Sequence, residues 1–284
     1  MSRGYQKRDA HFIDYELYEL QGVHGTFRGP PVQSREYIAC VGASQTFGRF
    51  VQMPFPRLIS YALRIDTLNL GRGGAGPEFP LENPALMEHI NGSRIVIVQV
   101  FSGRSQSNSL FRMAGQTMCG TNLANGSECS ADQFYTWLLT QDTKLAQEIV
   151  AETREKYASA MTRLLDAIVP PTILFWFSTR SPDYEECMEL PLTRLFGEFP
   201  QLINRAIVER LKGHTSLYVE CISKRGLPQL VPGQHSGASA QDSSSTSQKR
   251  IVTRNLYYPS PEMHEDAAAA LIPACQMLLD QRSA

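Results

Sequence analysis

The chain has 284 residues, 42% hydrophobic and 19% charged, with a formal net charge of −1. That balance is ordinary for a globular protein and long enough for one large α/β domain or two small ones. It offers no electrostatic case for nucleic acid or an anionic membrane as the main partner.

Residues 1–36 read as an N-terminal extension. Phe12, Tyr15, Leu17, Tyr18 and Leu20 can pack on the body, and Arg28-Gly29-Pro30-Pro31 reads as a turn. Tyr37 to Val41 is an apolar run that predicts a buried strand. It stops at Gly42-Ala43-Ser44, and Gly48 follows four residues after the serine. In open α/β sheets, ligand sites form outside the carboxyl ends of the strands. A serine on that turn can be a nucleophile, a ligand contact or a turn residue.

Pro54 and Pro56 suit the start of a helix, and Leu58, Ile59, Ala62 and Leu63 give it one apolar face. Thr67 to Leu70 predicts a short strand ending in a glycine cluster from Gly71 to Gly76. A helix around Pro84 to Asn91 follows. Arg94 to Phe101 contains Ile95-Val96-Ile97-Val98, the continuous β-branched pattern of a strand buried on both faces. Residues 102–131 are rich in Ser, Gly and Asn and read as a long loop that shapes a pocket. Asp142 to Ile168 reads as a long amphipathic helix ended by Pro170-Pro171. Thr172 to Phe177 predicts a strand, Gln201 to Leu211 a helix and Ser216 to Ile222 a strand. Residues 233–250 are low in complexity and read as a mobile linker. Ser260 and Pro261 open a final helix with Ala268, Leu271, Cys275 and Leu278 inward.

This alternation predicts one domain over 1–284, a three-layer α/β/α sandwich with a mostly parallel, flavodoxin-like central sheet. No apolar run approaches the roughly 20 residues that span a bilayer. Met1 to Asp9 is polar and charged, with no secretory h-region behind it. The six cysteines are scattered without a CxxC pair, which argues against zinc and fits a reducing, cytoplasmic setting. Cys40, Cys221 and Cys275 fall in apolar segments and read as core residues. Trp137 and Trp176 read the same way. The histidines show no metal-ligand spacing, and no cofactor or metal is expected.

Three segments carry chemistry. Gly42-Ala43-Ser44-Gln45-Thr46-Phe47-Gly48 follows the first core strand. Asn69-Leu70-Gly71-Arg72-Gly73-Gly74 follows the second. Pro261-Glu262-Met263-His264 opens the last helix. Their order resembles the blocks of the SGNH/GDSL hydrolases. The resemblance implies Ser44 as nucleophile, the N–H groups of Ser44 and Gly74 as oxyanion donors, and His264 as general base. A serine hydroxyl is a weak nucleophile and needs an imidazole within hydrogen-bond reach. A developing oxyanion needs N–H donors aimed at it.

The chain departs from the family at three places. Ala43 replaces the block-one aspartate. The block-three asparagine is absent after the third strand, where Asn108, Ser102 or Gln106 could substitute. Pro261 stands where the triad acid belongs, leaving Glu262, a backbone carbonyl or a Ser-His dyad to orient His264. Asn69, Arg72, Arg104 and Asn108 are the expected substrate contacts. The two arginines are either solvated surface charge or a clamp for an anionic group. Phe27-Arg28-Gly29-Pro30, Pro54-Phe55-Pro56, Asn69-Leu70-Gly71 and the terminal His-x-x-Ala-Ala-Ala-x-Leu resemble an uncharacterised bacterial family of unknown function.

The resemblance implies a serine esterase or acyltransferase acting on an ester of a carbohydrate or small metabolite. The alternative is an inactive SGNH-like domain that binds a ligand, such as a glycan, or a partner. A weaker alternative is another transferase, such as a sulfotransferase, using Arg72 and Arg104.

Overall fold

Continuous apolar runs make the centre of the molecule. The computed structural model describes residues 3–104, 106–113, 119–232 and 252–281. The linker expected at 233–250 lies outside these residues. Ahead of the sheet stand α1 (Arg3–Asp9) and a small antiparallel pair, β1 (Tyr18–Glu19) and β2 (Thr26–Phe27). The body then runs β3 (Tyr37–Gly42), α2 (Ser44–Phe47), α3 (Phe55–Leu63), β4 (Asp66–Gly71), α4 (Glu78–Leu81), α5 (Pro84–Asn91) and β5 (Ile95–Gln99). After β5 come β6 (Phe111–Met113), β7 (Cys119–Asn122), β8 (Glu128–Ser130), α6 (Ala131–Gln141), α7 (Thr143–Asp166) and β9 (Thr172–Ser178). The chain continues through α8 (Thr193–Phe196), α9 (Arg205–Lys212), β10 (Leu217–Ile222), β11 (Gln229–Pro232), β12 (Val252–Asn255) and α10 (Pro261–Gln281).

The central sheet has the order β10-β9-β5-β3-β4, and every pair is parallel. Alternate residues on each strand face opposite layers, because side chains along a strand point to opposite faces. Ala39, Val41, Val96, Val98, Leu174 and Trp176 pack against α5, α7 and α9. Ile38, Cys40, Ile97, Ile173, Phe175 and Phe177 pack against α3 and α10. Helices therefore cover both faces, as parallel strands require. Cys40, Cys221 and Cys275 are buried within the second layer, and Trp176 is fully buried within the first.

The expected loop at 102–131 is corrected. It contains an antiparallel meander, β6-β7-β8, which with α6, α7 and α8 closes a satellite core around Phe111, Phe134 and Tyr135. Strands of three or four residues leave too little alternation to be read. The helix expected from Gln201 begins instead at Arg205, where the Asn204 side chain accepts from the Ile207 N–H at 3.2 Å. The N-terminal extension docks through Tyr15, which is buried, whereas Phe12 and Leu17 stay exposed.

The junction of β4 with α2 tolerates no side chain at Gly71. A Cβ there would strike the backbone nitrogen of Phe47. Gly71→Ala is therefore expected to cost at least ~1–3 kcal/mol, the range for overpacking a rigid contact. Thermal denaturation would register it as a clear fall in Tm, and an unchanged Tm would refute the contact.

Candidate functional site

In the order of the five strands, β4 and β5 lie on opposite sides of β3, so the connections diverge there. A crevice opens outside the carboxyl ends of the strands at such a switch point. Ser44 sits at it, as the first residue of α2.

Local packing explains the turn. A Cβ on Gly42 would collide with Thr46 Oγ1. The buried carboxamide of Gln99, at the end of β5, clamps the turn from the side. Its Oε1 accepts from the Ala43 N–H at 3.1 Å and from the Thr46 hydroxyl at 2.6 Å. Gly48 ends α2 in the left-handed region, with φ of 73°. Arg28, buried beneath, donates to the carbonyls of Phe47, Gly48, Val51 and Gln52 at 2.6–3.1 Å. Desolvation lowers its pKa to about 10, which leaves it charged at neutral pH.

Ser44 is 9% exposed, and its hydroxyl donates to Gln45 Oε1 at 3.1 Å. His264 is fully buried. Its Nδ1 accepts from the backbone N–H of Phe55 at 3.1 Å, and its ring stacks on Phe55 at 5.9 Å. The Phe177 ring meets it in a T-shaped pair, with ring centres 5.3 Å apart. Phe55 is the first residue of α3, whose N-cap, Pro54, makes no side-chain cap bond. His264 thus satisfies one of the donors that a helix start leaves open. Burial, helped by the charge of Arg28, lowers its pKa to about 3. His264 Nε2 has no partner among the described residues. Ser44 and His264 are not joined by a hydrogen bond.

The other expected site residues have defined positions. Gly74 takes φ of 80°, with the Ala75 N–H bonded back to the Arg72 carbonyl, as at the third position of a type II turn. Glu262 makes no bond to His264, and residues two apart on a helix do not face each other. Asn69 braces the turn: Oδ1 accepts from the Gly71 N–H at 2.9 Å and Nδ2 donates to the Thr46 carbonyl at 3.0 Å. Asn108 is buried in the satellite core, donating to Thr153 Oγ1 and accepting from the Leu110 N–H. Arg72 lies over the Phe79 ring and donates to the His24 carbonyl. Arg104 is held by Asp132 at 2.9 Å.

A cavity of about 250 Å³ has Gln45, the residue after Ser44, in its wall; Ser44 and His264 do not line it. Gln45, Arg104, Phe177, Gln201, Tyr257 and Met263 are among its wall. Gln45, Gln99 and Gln201 were not anticipated. Gln99 had a signal, a polar residue ending a continuous β-branched run. Gln45 adjoins the serine, and Gln201 carries no local mark. Among the described residues no cluster of His, Cys, Asp and Glu could hold a metal ion, and no helix is long and apolar enough to cross a membrane.

The model of a family described as "Domain of unknown function (DUF6473)" matches residues 1–116 and 134–279. This agrees with the expected place in a family of unknown function. No curated protein matches the chain. Solved structures similar to it include a catalytic mutant of an acetylxylan esterase from Geobacillus stearothermophilus. That match has 14% identity, spans 84% of this chain and 93% of the other, and has a TM-score of 0.43. A second is LAE5, an alpha/beta hydrolase from the metagenome of Lake Arreo, with 13% identity, 85% and 95% coverage and a TM-score of 0.42. A third is a family 2 carbohydrate esterase from Corynascus thermopiles, with 12% identity, 90% and 69% coverage and a TM-score of 0.40.

Proposed function

We propose that this chain, which belongs to the DUF6473 family, is a ligand-binding domain on an SGNH-like frame. In this reading Ser44 is a hydrogen-bonding group and not a nucleophile.

The observation that carries this reading is the bond from the Phe55 N–H to His264 Nδ1. A backbone N–H can only donate, so it uses the Nδ1 lone pair. The proton of a neutral imidazole then sits on Nε2. A base for serine needs the opposite tautomer, with Nε2 bare and Nδ1–H held by an acceptor. Exchanging tautomers would leave the buried Phe55 N–H without a partner, at ~1–3 kcal/mol. The imidazolium that would store the serine proton is further disfavoured, since burial lowers the His264 pKa to about 3. Ser44 meanwhile donates to an amide oxygen, which cannot take its proton.

The rival reading is a serine esterase or acyltransferase acting on a carbohydrate or small-metabolite ester. It draws on the position of Ser44 at the switch point. Hydrolysis of a short activated ester by wild type and Ser44→Ala separates the two. Equal, near-background rates are expected. A wild-type rate on the order of 100-fold above Ser44→Ala, the scale of general-base assistance, would establish the esterase.

A further inference from the structure

The cavity past Gln45 lies outside the carboxyl end of β9, between the start of α10 and the segment that carries α8. Its floor is Phe177, Phe196, Phe199 and Met263, all buried. The polar side chains beside them are engaged or closed off. Ser178 Oγ donates to the Phe199 carbonyl at 2.6 Å and accepts from the Arg180 N–H at 3.0 Å. Gln45 Oε1 accepts from Ser44, and Gln45 Nε2 and Gln201 Oε1 are sealed from solvent. The floor therefore offers a ligand apolar surface in place of side-chain hydrogen bonds.

That surface continues to the mouth. Leu256 is 69% exposed and Tyr257 is 43% exposed, and both line the cavity. A lone exposed leucine needs no explanation. Two large side chains that join a buried apolar floor make a continuous path from water inward, and such a patch marks a binding site. The charged groups in the wall select against an anion. Arg104 is held by Asp132, and the exposed Glu198 adds a carboxylate. An anionic head group would meet one more negative charge than positive.

We infer that the cavity takes the tail of an uncharged amphiphile: one alkyl or acyl chain lies on the phenylalanine floor, and its neutral head stays in water at Leu256 and Tyr257. A dry apolar cavity of ~150 Å³ holds benzene, about 25 Å³ per carbon. At that packing the volume of about 250 Å³ holds a tail of about ten carbons. A chain follows a path from mouth to floor end-on, whereas a fused ring of the same size must enter whole. The inference rests on the ligand-binding reading and names the ligand class.

Calorimetric titration of the full chain tests it with methyl, hexyl, octyl and 2-naphthyl β-glucosides and with octanoate, each below the concentration at which it self-associates. Octyl glucoside is expected to bind, one per chain. Burying a methylene group is worth about fourfold in affinity, so hexyl glucoside is expected to bind about 15-fold more weakly. Methyl glucoside is expected not to bind, and octanoate and 2-naphthyl glucoside to bind more weakly than octyl glucoside. Leu256→Asp places a charge on the exposed lip and is expected to weaken octyl glucoside about 10-fold with Tm unchanged. Thr179→Phe fills the cavity and is expected to abolish binding, and Leu256→Asp decides alone if that variant fails to fold. The inference is overturned if octyl glucoside does not bind, if hexyl or methyl glucoside binds as tightly, if octanoate or 2-naphthyl glucoside binds more tightly, or if Leu256→Asp binds like wild type. None of these results bears on the His264 tautomer, which carries the binding reading. Ser44-dependent ester hydrolysis with octyl glucoside binding intact would instead overturn the binding-only reading and leave the ligand class standing.

Discussion

Arg28→Ala is expected to destabilise the fold by about 4 kcal/mol or more, into the range reserved for a lost buried network. The guanidinium donates to four carbonyls around the end of α2. It also lies 4.9 Å from the centre of the Tyr15 ring and 5.7 Å from that of Phe47. Hydrogen bonds to a charged group contribute ~1.5–3 kcal/mol each, without adding fully. Alanine removes all four and leaves a cavity under the turn that carries Ser44. Lysine keeps the charge but is a point donor without the planar fork, so Arg28→Lys should fall between. Urea unfolding measures both. A loss below about 1 kcal/mol for Arg28→Ala, the scale of a surface contact, would show that the carbonyls find other partners.

The second large effect is acid sensitivity arising at His264. Its folded pKa, about 3, is depressed below the ordinary value of 6.5. Between those values the unfolded chain binds a proton that the folded chain refuses. This contribution to stability is therefore fully present above pH 6.5 and is lost as pH falls toward 3. Integrated over the window, it is worth up to roughly 5 kcal/mol. Carboxylates held low by partners, such as Glu152 beside Lys156, add losses of the same sign, so a reference variant is needed. His264→Gln keeps an acceptor for the Phe55 N–H but cannot be protonated. It should be less stable than wild type at pH 7 by about 1–3 kcal/mol. Its stability should then fall less on acidification, so the two curves converge. Parallel curves from pH 7 to pH 4 would mean that His264 is not held neutral by burial.

The sheet was legible because its strands are buried on both faces. Ile95 to Val98 can hardly be anything else, and Tyr37 to Val41 and Thr172 to Phe177 follow the same pattern. The meander at β6-β7-β8 was not legible, since its strands are too short for periodicity and its sequence looks like loop. α6 had a signal that went unused: Ser130 and Gln133 form a reciprocal capping box. The place of Ser44 was legible from a strand followed by small residues and a glycine. The work of His264 was not, because its partner is a backbone N–H 209 residues away. A helix-opening histidine looks the same in sequence whether it caps another helix or deprotonates a serine. Asn108 and Arg104 illustrate the same limit, since Thr153 and Asp132 engage them only through the tertiary fold.

The tautomer of His264 separates a binding domain from a hydrolase most directly. In chain labelled with ¹⁵N-histidine, with the His264 signals assigned by their absence in His264→Gln, the ring nitrogens report which one carries the proton. The predicted result is a bare Nδ1 and a protonated Nε2, unchanged between pH 7 and pH 5. A protonated Nδ1 with a bare Nε2, the state a serine base requires, would contradict it.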